Sequence, residues 1–238
     1  MSLKNKRVLI TGGATRLGKR FSEALAAEGA QLFIHYHQNL TGAERVGGYS
    51  AQHGHKVYVF QADFRIAEQV FALATKIKQL TPTLDILIHN ASIFPEPRIV
   101  RAAHNLSQER LDAWLEAFSV HLDAPFFLTQ ELTPSLKRAS GQVITLLDAS
   151  AGSGMLSRAA YSLSKLSLEN FTTFAAKALG PKIRVNGLKL GPTLPADGMP
   201  KKELNQLDWG DPDHAVAALV ALAKDKNSTG KIFQVDDF

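Results

Sequence analysis

Tyr161 and Lys165 stand four residues apart in the Ala/Ser/Leu-rich stretch Tyr161-Ser-Leu-Ser-Lys165, and Asp148 lies thirteen positions before the tyrosine, directly after the apolar run Val143–Leu147. A spacing of four sets a phenol and an ammonium one helical turn apart on a shared face. An ammonium beside a phenol favours the phenolate and lowers a pKa that starts near ~10, so the tyrosine becomes a usable proton donor near neutrality. By itself a Tyr-x-x-x-Lys pair says little, because many helices contain one by chance. Asp148 adds a third titratable group. It is a proton source or relay if its pKa is raised, and a carboxylate that orients Tyr161 and water if it is not. The non-catalytic reading of Asp148 is a turn or helix-capping residue. Ser150 and Ser153 are the rival hydroxyl-bearing candidates, at shorter spacing from Tyr161.

The second chemically suggestive segment is Thr11-Gly-Gly-Ala-Thr-Arg-Leu-Gly18, between an apolar run and a helical pattern. Glycines allow a tight turn and close backbone approach to a pyrophosphate, and the helix that follows offers N–H donors to it. Gly12, Thr15, Arg16 and Leu17 are therefore candidate dinucleotide contacts. Arg16 occupies a place where such turns usually keep a small residue. Its guanidinium can meet phosphate oxygens bidentately, reach a substrate lying on the cofactor, or point to solvent. A reader of NAD places a carboxylate at the end of the second strand. Here that strand end reads Ile34-His-Tyr-His-Gln-Asn39, with no acid before Glu44. His37, Gln38 and Asn39 can donate hydrogen bonds to a 2′-phosphate, so NADP(H) is the expected cofactor. His35-x-His37 and His53-x-His55 lack the carboxylate or cysteine neighbours of a metal site, and no metal is expected.

These residues need a scaffold. The chain has 238 residues, 45% hydrophobic and 21% charged, with no linker, repeat or low-complexity tract, which suits one domain spanning 1–238. Seven short apolar runs, Arg7–Thr11, Gln31–Tyr36, Lys56–Gln61, Leu84–His89, Gln142–Leu147, Ile183–Leu188 and Lys231–Val235, read as strands apolar on both faces. Helical patterns lie between them near 17–29, 41–52, 66–80, 107–137, 157–179 and 212–225. Gly42, Gly47 and Gly48 make 41–52 the weakest of these, expected to be short or loose. The alternation predicts an α/β fold: a doubly wound, parallel, seven-stranded sheet of the Rossmann type. The stretch 190–211 has no periodicity and is rich in Pro and Gly, and its position after the sixth strand predicts a substrate lid.

Net charge is +5, but Lys and Arg are spread along the chain, which favours a phosphate-bearing small ligand over nucleic acid. The sequence has no cysteine, which excludes disulfides and thiolate metal sites and suits a reducing cytosol. No apolar run is long enough for a membrane span or a signal peptide, so a cytoplasmic protein without membrane partners is expected.

With Thr11-Gly12…Gly18, His89-Asn-Ala-Ser92 and Tyr161-x-x-x-Lys165 in this order, the chain resembles the short-chain dehydrogenase/reductases over essentially its whole length. Arg16, the strand end His35-Tyr-His37, Asn90-Ala-Ser-Ile-Phe94, Ala124-Pro125-Phe-Phe-Leu128 and the acid at 148 together resemble the pteridine reductases, the bacterial dihydromonapterin/dihydrofolate-type members above all. The resemblance implies a set of roles. Lys165 holds the nicotinamide ribose and supports Tyr161. Asn90, Ala91 and Ser92 pass close to the cofactor, with Ser92 reaching phosphate or pterin. Phe94 walls one side of a sandwich with the nicotinamide, or else anchors its loop in the core. Asp63, followed by Phe64, contacts adenine. Gly191 lies near the nicotinamide amide, although Leu190-Gly191-Pro192 departs from the family's Pro-Gly.

In carbonyl-reducing members a serine stands where this chain has Asp148. An ionised aspartate has only acceptors and suits a nitrogen heterocycle better than a developing alkoxide. His121 replaces the asparagine of the family's proton relay and is equally readable as catalytic or structural. The function implied is NADPH-dependent reduction of a dihydropterin or dihydrofolate, with Asp148, Tyr161 and Lys165 catalytic and Arg16, Ser92, Phe94, Asp148 and Tyr161 around the pterin. The alternatives are a carbonyl or 3-oxoacyl reductase and a non-catalytic NADPH-binding protein. A homotetramer through the helices 107–137 and 157–179 is also implied.

Overall fold

The computed structural model describes residues 2–52, 54, 56–94, 111–152, 159–194 and 209–238. Its elements are β1 (Arg7–Ile10), α1 (Arg16–Ala27), β2 (Gln31–Tyr36), α2 (Leu40–Gln52), β3 (Val57–Gln61), α3 (Ala67–Leu80) and β4 (Ile86–His89), followed by α4 (Leu111–Phe118), α5 (Ala124–Ala139), β5 (Gln142–Asp148), α6 (Ala159–Leu179), β6 (Arg184–Leu190), α7 (Pro212–Lys224) and β7 (Ile232–Gln234). Every strand pairing is parallel, in the order β3-β2-β1-β4-β5-β6-β7. The expected seven-stranded doubly wound sheet is therefore present. All strands end on one edge, and the order reverses between β1 and β4, where such sheets bind ligands.

Apolar burial explains the layers. Phe21 and Leu25 of α1, Val46 of α2 and Leu219 and Leu222 of α7 pack on one face of the sheet. Leu73 and Ile77 of α3, Leu128 and Leu132 of α5 and Leu168 and Phe171 of α6 cover the other. The central strands are buried on both faces, as in β4 (Ile86–His89) and along β5 as far as Leu147. The edges differ from expectation: in β3 only Phe60 is buried, and β7 has no buried residue. An edge strand has a neighbour on one side only and keeps part of its surface in water.

Two helices also differ. The segment expected to be loose is a regular thirteen-residue α2. Asn39 stabilises its start, its Oδ1 accepting from the Gly42 N–H at 2.7 Å as an N-cap does. The single helix expected over 107–137 is divided: α4 ends at Phe118, a π-helical turn runs Ser119–Asp123, and α5 follows. Pro125 has no N–H for the carbonyl four residues back, which is that of His121, so the regular ladder lapses there. Such widened turns often mark functional positions. The start of that expected helix (107–110), His53, His55, Ser153 and most of the expected lid (195–208) lie outside the described residues.

Candidate active site

The glycine turn is clamped to the end of β4. Thr11 Oγ1 accepts from the Asn90 and Ala91 N–H groups, each at 2.9 Å, and Asn90 Nδ2 donates to the carbonyls of Thr11 (2.8 Å) and Gly12 (3.0 Å). Gly12 has φ +63, and a Cβ there would lie 2.9 Å from Ala91 Cα. At Gly18 a Cβ would lie 2.1 Å from the Gly12 carbonyl oxygen and 2.6 Å from Asn90 Nδ2. No larger residue fits either place without moving backbone.

Beneath the turn lies His35, which the sequence offered as part of the strand end His35-Tyr-His37 and as a discounted metal ligand. His35 Nδ1 accepts from the Gly12 N–H at 3.1 Å, so its proton is on Nε2, which donates to the Ala62 carbonyl at 3.0 Å. Its ring stacks on Phe64 at 3.9 Å between centroids. Burial lowers its pKa to about 4, which keeps the ring neutral and its acceptor available. Phe64 thus acts from below, through His35. Thr15 is the N-cap of α1 without a side-chain capping bond. Arg16 has φ +48, and its guanidinium donates to the Leu194 carbonyl at 2.5 Å, reaching across the open edge to the chain beyond β6. Leu17 packs partly buried against the core below the turn.

At the end of β2, His37 is half-buried, with Nε2 3.4 Å from Asp63 Oδ2. Gln38 and Asn39 are exposed. Arg65, which sequence reasoning missed, takes both Asp63 oxygens, Nε to Oδ1 at 2.9 Å and a terminal nitrogen to Oδ2 at 2.6 Å, and also reaches Glu116 at 3.2 Å. Hydrogen bonding from Arg65 holds the Asp63 carboxyl at about 2, well below the usual carboxylate range. No carboxylate comes from the strand end itself, the condition set for a phosphorylated ribose.

The three catalytic candidates meet at the ends of β5 and α6. Asp148 Oδ2 accepts from the Tyr161 hydroxyl at 2.5 Å, while Oδ1 accepts from the Ser150 hydroxyl at 2.5 Å and the Ser150 N–H at 2.7 Å. Asp148 pairs with Leu190 as the last residue of β5, so the sheet fixes its backbone. Lys165, one turn beyond Tyr161, is buried and donates to the Leu146 carbonyl at 3.3 Å. Burial lowers its pKa to about 8, against an opposing pull from Asp148.

Phe94 stands edge-on to Tyr161 at 5.0 Å and His121 edge-on to it at 5.4 Å. The Ser92 hydroxyl is 2.9 Å from His121 Nε2. Gly191 is exposed, and its carbonyl accepts from the Thr193 hydroxyl at 2.8 Å. A cleft of about 310 Å³ opens between the ends of β6 and β7 and the start of α7, and none of Asp148, Tyr161 and Lys165 lines it.

Residues 6–206 match the family described as short chain dehydrogenase. The chain belongs to this family. As a short chain dehydrogenase it is an oxidoreductase, and the match spans both the glycine turn and the Tyr161/Lys165 pair. A 3-oxoacyl-[acyl-carrier-protein] reductase from Synechocystis sp. is 26% identical over 239 residues, covering 96% of this chain and 94% of that protein. Pteridine reductase 1 of Leishmania tarentolae is 28% identical over 225 residues, covering 81% and 78%. Among solved structures, FolM alternative dihydrofolate reductase 1 from Brucella canis, complexed with NADP, aligns with a TM-score of 0.85 at 27% identity, covering 98% of this chain and 93% of that one. No helix among the described residues is long and apolar enough to cross a membrane.

Proposed function

We propose that this short chain dehydrogenase is an NADPH-dependent reductase of a pterin C=N bond, taking a dihydropterin or dihydrofolate to its tetrahydro form. The observation that carries the reading is the carboxylate of Asp148, 2.5 Å from the Tyr161 hydroxyl. A ketone reductase needs donors around the developing alkoxide, which a carboxylate would repel. A ring nitrogen that gains a proton as the adjacent carbon gains hydride is compatible with that charge. Further support comes from the likeness to pteridine reductase 1 and to the FolM enzyme.

The residues present fit a phosphorylated dinucleotide. Gly12 and Gly18 let the turn fold tightly against Asn90 and Ala91 with no side chain between, leaving its backbone N–H groups for a pyrophosphate, and β2 ends in His37, Gln38 and Asn39 instead of an acid. Gly12, Thr15, Arg16 and Leu17 would hold the pyrophosphate side, Asp63 and Phe64 the adenine side, and Asn90, Ala91, Ser92, Lys165 and Gly191 the nicotinamide side. When bound, the reduced nicotinamide supplies the hydride. Tyr161 gives its proton to the ring nitrogen, the Asp148 carboxylate, held by Ser150, keeps the phenol aimed, and the phenolate regains its proton from water. Lys165 stabilises the phenolate left behind, while Phe94, Arg16 and Ser92 fix the ring and its edge.

A second reading, reduction of a 3-oxoacyl or other ketone, is favoured by the near full-length likeness to the Synechocystis reductase. Following NADPH oxidation with dihydromonapterin, dihydrobiopterin, dihydrofolate and a ketone panel separates the two. Turnover of at least one dihydropterin is expected, and turnover of ketones alone would reject the pterin.

We further propose a cytoplasmic homotetramer built on α4, α5 and α6. These helices expose Leu111, Leu115, Phe126, Leu163 and Phe174, apolar side chains that a second copy would cover. Sedimentation equilibrium is expected to give four chains per particle; a monomer would refute the assembly.

A further inference from the structure

A histidine that moves protons during turnover needs a nitrogen free to exchange with a reacting group or water. His121, in the widened turn between α4 and α5, is fully buried. The Ile93 backbone N–H lies 3.2 Å from His121 Nε2 and can only donate, so Nε2 is an acceptor, and the Ser92 hydroxyl at 2.9 Å gives its proton to the same atom. Nδ1 therefore carries the ring proton and donates to Ser164 Oγ at 2.8 Å. The Ser164 hydroxyl donates to the Tyr161 carbonyl at 2.8 Å, which gives one consistent direction from Nδ1 to the α6 backbone. Burial, aided by the nearby Lys165 ammonium, holds the imidazole pKa well below its ordinary value and the ring neutral.

We propose that His121 is a positioning residue, locked as the Nδ1–H imidazole, which ties the Ser92–Ile93 segment to the helix carrying Tyr161 and so sets the phenol against Phe94. The role deepens the reductase reading and rests on it. Three elements meet on one ring: the chain after β4 through Ser92 and Ile93, α6 through Ser164, and the phenol itself through an edge-on contact at 5.4 Å. Both ring nitrogens are engaged by scaffold groups among the described residues. No ring nitrogen of His121 is then left to exchange a proton with Tyr161.

Two measurements test this. In the full-length protein with 15N-labelled histidine, His121, assigned by its loss in His121→Asn, should show a neutral Nδ1–H pattern that does not change between about pH 5 and 8. In steady-state kinetics, on whichever substrate class the wild type reduces, His121→Asn should lower kcat by about ten- to a hundredfold while the inflections of its pH profile stay in place. Ser164→Ala, which removes the acceptor of the Nδ1 proton together with its bond to the Tyr161 carbonyl but leaves the imidazole, should lower kcat in the same direction by less, and carries the kinetic comparison should His121→Asn not fold. An Nε2–H pattern, a His121 signal titrating near neutrality, loss of one pH inflection, or unchanged kcat in both variants would overturn the proposal. A wild type that reduces ketones but not dihydropterins would defeat the pterin reading and leave this test intact, run on the ketone.

Discussion

At the glycine turn, Thr11–Gly18, geometry is set by how closely backbones approach; at the catalytic corner, Asp148–Lys165, it is set by which polar side chains meet. Gly18 has no room for one carbon, and even the histidine below the turn works through a single backbone N–H. At the corner the contacts run between the side chains of Asp148, Ser150, Tyr161, His121 and Ser164, most of which another side chain of similar size could replace without shifting a strand. The difference explains how one scaffold can keep its dinucleotide and change its substrate: the turn tolerates almost no substitution, and the corner tolerates substitutions that alter chemistry.

The two regions should therefore fail differently. Tyr161→Phe should lower kcat by about 10²–10⁴-fold, with NADPH affinity and the urea midpoint changed far less. Gly18→Ala should do the reverse, costing about 1–3 kcal/mol of stability and weakening NADPH about ten- to hundredfold at 1.4 kcal/mol per decade. Fluorescence titration with NADPH and urea unfolding of both variants check the pair. Normal NADPH binding by Gly18→Ala, or unfolding of Tyr161→Phe, would erase the distinction.

A smaller effect separates the regions by pH. His35 under the turn and Lys165 in the corner are bases whose pKa values are lowered by burial, from 6.5 to about 4 and from 10.5 to about 8. In each window the unfolded chain binds more protons than the folded one, so stability rises with pH across it. The His35 contribution is present above about 6.5 and is lost as the pH falls toward about 4; the Lys165 burden is relieved between about 8 and 10.5. Urea midpoints across pH should follow both slopes. His89, lowered to about 3, adds to the acid window, so His35→Gln should flatten that slope without abolishing it. A midpoint indifferent to pH between about 4 and 6.5 would contradict the buried neutral imidazole.

What could be read from the sequence follows the same division. Gly12 and Gly18 were readable as a tight turn from their place after an apolar run, and Tyr161 and Lys165 as one helical face from their spacing, which gained weight only beside the turn and Asp148. The strands were legible from their apolar runs, and their edges were not, because β3 and β7 carry as much apolar character as strands with two neighbours. The role of His35 was not legible, since its partners, Gly12 and Ala62, come together only when β2 passes beneath the turn. Arg65 was missed although Asp63 stands only two residues before it, because an Asp-x-Arg pair is as common on a solvated surface as beside a site. The break in the long helix did have a signal in Pro125, whose missing N–H falls opposite the carbonyl of His121. The N-cap of α2 lay in a single residue, Asn39, overshadowed by three glycines.

The central claim is that the carboxylate of Asp148 selects a nitrogen heterocycle over a ketone. The ratio of kcat/KM for a dihydropterin to that for a ketone, measured in wild type, Asp148→Asn, Asp148→Ser and Ser150→Ala, tests it most directly. The account predicts a ratio about a hundredfold lower in Asp148→Ser and a dihydropterin turnover cut far more by Asp148→Asn than by Ser150→Ala. An unchanged ratio in Asp148→Ser, or equal losses in Asp148→Asn and Ser150→Ala, would contradict it.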